Sequence, residues 1–94
     1  MKEVIINLSK IVKDYKNDNI DLNYIFKDVM YNNGATEESE GRVFGFSLYI
    51  KIVGLDENTI ANLVTEEYKK YFPNFVFNKK YFVSRYKAKH YWND

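Results

Sequence analysis

The sequence predicts a mainly α-helical, compact domain of helix-turn-helix type, and three observations predict it. Apolar residues recur at three- and four-residue steps in several segments, residues 56–91 read as two capped amphipathic helices about a proline-marked turn, and the cations gather at the carboxy-terminal end. Ninety-four residues make one domain with a single core. Residues 1–33 read as a helical hairpin, 34–42 as an acidic loop and 43–91 as the helix-turn-helix unit. Nine Tyr, seven Phe and one Trp mean that rings must supply much of the core.

In the first segment Val4, Ile5, Leu8, Ile11, Val12 and Tyr15 follow helical spacing, with Lys2, Glu3, Asn7, Lys10, Lys13 and Asp14 on the other side. Lys16 to Asn19 is a turn cluster, because short polar side chains compete with the backbone for hydrogen bonds. Asp21 then caps a second helix whose stripe is Leu22, Ile25, Phe26, Val29 and Met30, and Asn32-Asn33-Gly34 ends it. Residues 34–42, GATEESEGR, crowd Glu37, Glu38 and Glu40 between two glycines and read as a solvated loop. In the run Val43 to Val53 the periodicity fits both a strand (Phe44, Phe46, Leu48, Ile50, Ile52) and one face of a helix (Val43, Phe46, Ile50, Val53). Gly54 stands where a left-handed helix C-cap would be, so helix is the expectation; as a strand, the run would make the domain winged, with a small β-sheet.

Asp56 caps the next helix, Leu55 before it can staple onto Ile60, and Ile60, Leu63, Val64, Tyr68 and Tyr71 form its apolar face. Glu66 and Lys70 stand four apart for a surface pair. Pro73 disfavours helix in Phe72 before it, so a turn is expected at Asn74. A last helix starts after Asn78 and runs to about Tyr91, with Phe82, Val83 and Tyr86 inward and Tyr81, Ser84, Ala88 and Tyr91 outward, flanked by Lys80, Arg85 and Lys87. Small residues between cations on one helix face suit a DNA major groove.

Charge supports that reading. From Lys69 onward seven basic side chains face one acidic, a net +6, whereas the first 68 residues hold seven basic and twelve acidic, a net −5. A near-neutral chain with its cations at one end has one anion-facing surface. The run VGLDENTIANLVTEEYKKYFPNFVFNKKYFVSRYK resembles the helix-turn-helix or winged-helix DNA-binding domain of many phage and plasmid proteins, on Gly54, Thr59, Phe72-Pro73 and Tyr86-Lys87. Arg85 stands where that pattern has Trp. In size and in its Asn/Lys/Ile/Tyr-rich character the chain is also similar to the winged-helix proteins that bind the transfer origin of clostridial conjugative plasmids. The resemblance implies a DNA-binding regulator or relaxosome accessory factor of a mobile element.

Other chemistries lack their parts. The chain has no cysteine and a single histidine, His90, which removes disulfides and thiolate metal sites and leaves zinc without ligands. Gly34, Gly41, Gly45 and Gly54 match no nucleotide-binding spacing, and no nucleophile elbow accompanies Ser47 or Ser84. No catalytic residue, metal or cofactor is therefore assigned. No apolar run reaches the about 20 residues of a membrane span, and no signal-peptide pattern follows Lys2 and Glu3, so a cytoplasmic protein is expected. The expected site is Asn78, Lys79, Lys80, Tyr81, Ser84, Arg85 and Lys87 on double-stranded DNA, with Arg85 reading a guanine and the lysines holding phosphates. One module of this size buries only roughly 600 to 1,000 Å² on DNA, so a homodimer or tandem occupancy of repeated sites is expected. The competing expectation is a protein-binding module or inhibitor using Tyr81, Tyr91 and Trp92.

Overall fold

A computed structural model describes residues 3–84, and its order is strand, helix, helix, hairpin, helix. Strand β1 (Glu3–Asn7) runs directly into helix α1 (Leu8–Asp14). A second helix, α2, spans 22–32; its middle, Tyr24–Val29, is wound as a π-helix and its end, Met30–Asn32, as an α-helix. Strands β2 (Glu40–Phe44) and β3 (Ser47–Val53) form a hairpin, α3 (Glu57–Lys69) follows, and Lys79–Tyr81 make one 3-10 turn. The sheet is antiparallel with order β1-β3-β2. The domain is thus mixed α/β, and the mainly helical expectation is corrected.

Two segments account for the correction. Val4, Ile5 and Ile6 are consecutive and all buried, as a strand covered on both faces requires, and Asn7 rather than a residue before Val4 caps the helix, accepting from the Lys10 amide at 3.3 Å. In 43–53 the period of two prevails over the helical one. Gly45 has φ +62°, and among the described residues no type but glycine takes a positive φ, so Gly45-Phe46 is a two-residue turn with glycine first, the type II′ geometry whose twist suits a hairpin. Gly54, at φ +104°, ends a strand and not a helix; a Cβ there would lie 2.8 Å from the Gly34 carbonyl oxygen.

Pairing of Val4 with Ile52, Ile6 with Ile50, and Gly41 with Ile50 puts Val4, Ile6, Leu48, Ile50 and Ile52 on one face of the sheet. Ile11 of α1, Ile25, Phe26 and Met30 of α2, and Ile60, Val64 and Tyr68 of α3 pack into one core with that face. The α3 reading holds: Asp56 accepts from the Thr59 amide at 2.8 Å, and Leu55 is buried. Tyr71 is instead exposed, and Lys70 pairs with Glu67 at 3.0 Å, not with Glu66. Asp21 caps α2 as expected, accepting from the Tyr24 amide at 3.0 Å. Glu40, expected in a solvated loop, begins β2 and pairs with Arg42 at 3.0 Å and Lys51 at 3.9 Å. Among the described residues no helix is long and apolar enough to cross a membrane.

Candidate nucleic-acid interface and an apolar groove

The segment after α3 is fixed by rings. Phe75 donates its amide to the Phe72 carbonyl at 2.9 Å, closing a turn with Pro73 second, where its fixed φ is suited. Phe75 is buried between Tyr15, 4.6 Å away by ring centroids, and Tyr68, at 4.8 Å. Phe77 meets Tyr81 at 5.2 Å and Phe82 at 5.0 Å. Burial pushes the Tyr68 hydroxyl up to about 12.

Asn78 caps the 3-10 turn, accepting from the Lys80 amide at 2.9 Å, which is the local signal that the sequence offered for a helix start. The helix does not follow within the described residues. Phe82 is extended and bridges Ile6, and the Val83 amide donates to the Ile5 carbonyl at 2.7 Å, because the outer edge of β1 offers backbone partners. This inverts part of the expected site. Tyr81, expected on the DNA side, is only 2% exposed, and its hydroxyl donates to Asp14 at 2.7 Å. Burial and that hydrogen bond together push the Tyr81 hydroxyl well above its usual value. Tyr81 is therefore a clamp between the carboxy-terminal segment and α1, and neither a base contact nor part of a protein-binding surface.

Asn78, Lys79, Lys80 and Ser84 are exposed. Arg85, Tyr86, Lys87, Tyr91 and Trp92 lie outside the described residues. The clamp brings Lys79 and Lys80 beside α1, where Lys10 lies one helical turn before Asp14 and Lys13 adjoins it, both exposed. Lysines of two distant segments are thus exposed on α1 and on the turn that Tyr81 ties to it. A shallow recess between Asp14, Tyr15, Phe77 and Lys79 lies in the same region. Lys10 and Lys13 were legible only as the polar side of an amphipathic helix, and nothing in the sequence joined them to residues 79 and 80.

On the helix-bearing face of the sheet, α2 and the hairpin enclose a groove of about 350 Å³. Leu8, Leu22, Phe26, Leu48 and Ile50 form its floor, and Asn23, Lys27, Tyr31, Glu40 and Gly41 its rim. Sequence reasoning could not find it, since its walls come together only when α2 packs on the sheet that β2 and β3 form. No family model, curated protein or solved structure matches the chain.

Proposed function

We propose that the chain binds double-stranded DNA in the cytoplasm, holding phosphates with the basic surface of α1 and the 79–80 turn. The observation that carries this reading is the Tyr81–Asp14 contact, which ties the turn bearing the exposed Lys79 and Lys80 to α1 with its exposed Lys10 and Lys13. Lysine ammonium groups serve as flexible phosphate contacts that position a protein on the duplex. The exposed side of α2 sets Lys27 against Asp28, so the favourable field lies on α1 and not on α2. A role as regulator or relaxosome accessory factor of a mobile element, working as two copies or in tandem, follows from the resemblance.

The test is anisotropy of a labelled duplex titrated with the protein at several salt concentrations. Binding is expected to weaken steeply with salt, and Lys79→Ala with Lys80→Ala to flatten the log-log slope by about two units on preferred and random DNA alike. A folded protein that binds no duplex at low ionic strength overturns the reading. The second reading, a protein-binding module, is favoured by the apolar groove, whose ligand would bind with little dependence on salt.

A further inference from the structure

The sheet has two outer edges. That of β1 is taken by Phe82 and Val83, but among the described residues β2 is followed by nothing in the sheet order. Its turn fixes which backbone groups face outward. In a two-residue hairpin Phe44 and Ser47 form the closing hydrogen-bonded pair, so Arg42 with Tyr49 and Glu40 with Lys51 bond inward, and Gly41 and Val43 direct their N–H and C=O groups away from β3. Val43 is 68% exposed on this edge, and Gly41 stands at the mouth of the apolar groove.

We propose that β2 is a self-pairing edge, joining antiparallel to β2 of a second copy about a two-fold axis at Gly41. Three registers keep the outward groups opposite one another, and charge separates them. With the axis at Arg42, the two guanidinium groups face each other, which is unfavourable. With the axis at Val43, Arg42 faces only Phe44. With the axis at Gly41, Glu40 faces Arg42 of the second copy, and each row across the joined sheet reads Lys51, Glu40, Arg42, Tyr49. The Glu40 carboxylate, already 3.0 Å from Arg42 and 3.9 Å from Lys51 of its own chain, then has cations on both sides. The same register is complementary on the groove face. Val43 of the second copy comes opposite Ser39, which lines the groove together with Tyr31, so the most exposed apolar side chain of β2 covers apolar surface of its neighbour. The contact is isologous and closes on itself, giving a six-stranded sheet whose two outer strands are the β1 strands, each bridged by Phe82.

This makes the two-copy expectation concrete without resting on DNA, and its test contains none. The full chain is examined by sedimentation velocity over a range of concentrations. A reversible dimer is expected. Glu40→Lys and Arg42→Glu should each weaken self-association by about tenfold or more, since each places like charges across the axis. Mixed in equal amounts the two variants should associate as well as the wild type, because the introduced lysine of one then faces the introduced glutamate of the other, and the remaining Arg42 faces the remaining Glu40. Val43→Lys should also give a monomer. In a chain with no cysteine, Gly41→Cys should form a disulfide across the axis on oxidation, as opposed Cα atoms in a bonded pair lie about 5.5 Å apart. A wild type that stays monomeric throughout, a dimer unmoved by Val43→Lys, or a mixture that fails to associate overturns the proposal.

Discussion

The two edges of one small sheet are treated in opposite ways. Every residue of β1 after Glu3 is buried, and its outer side carries Phe82 and Val83; no residue of β2 is buried, and Val43 and Phe46 beside it stand in solvent. The difference lies in what the chain returns to cover. Apolar residues on consecutive positions of β1 need both faces filled, which α1 to α3 cannot do from one side. The ring cluster of residues 72–82 places Phe82 and Val83 on the β1 edge. β2 alternates charge with Gly and Val and can stay at a boundary with water.

The largest expected effect is at the closed edge. Tyr81→Ala removes a buried ring and leaves the Asp14 contact unmade, and should cost about 3 to 5 kcal/mol in a denaturant titration, whereas Val43→Ala should change stability by less than about 0.5 kcal/mol. Equal losses would abolish the contrast. An intermediate effect comes from alkali. Tyr68 titrates at about 12 in the folded chain against 10.0 unfolded, and Tyr81 is also raised. The unfolded chain therefore loses these protons first, so the stability they contribute is fully present below pH 10 and falls as pH rises through the folded values. Tyr68→Phe should flatten this decline in melting temperature between about pH 10 and 12. A decline unchanged by the substitution would place the sensitive group elsewhere. A smaller loss is expected at the hairpin tip: Gly45→Ala meets no steric obstacle yet must take a positive φ, and should cost about 1 to 2 kcal/mol. If chemical denaturation shows no loss, the hairpin tip tolerates another turn type.

How far each region could be read in the sequence follows the same contrast. Where burial is one-sided, periodicity carries the information: Asp56, Ile60, Val64 and Tyr68 define α3, and Asp21, Ile25, Phe26 and Val29 define α2. Where burial is two-sided, it does not. Val4 and Ile5 satisfy a helical template equally well, and only pairing with Ile52 and Lys51, far along the chain, identifies the strand. In 43–53 the deciding residue was Gly45, whose glycine-first turn signal lay inside a run also compatible with a helix. At the candidate interface, Asn78, Lys79 and Lys80 were legible as exposed and polar. The role of Tyr81 was not, because an inward ring in a single 3-10 turn has no repeat from which to read its phase.

The bridge between Ile6 and Phe82 has a consequence for synthesis. Strand β1 receives the Phe82 bridge only once residue 82 has left the ribosome, and contacts so distant in sequence close slowly. Until then Val4-Ile5-Ile6 is an apolar strand with an open side, the kind of segment that pairs with other nascent chains. Truncated products ending before residue 82 are therefore expected to aggregate, because the open side of β1 then stays unpaired.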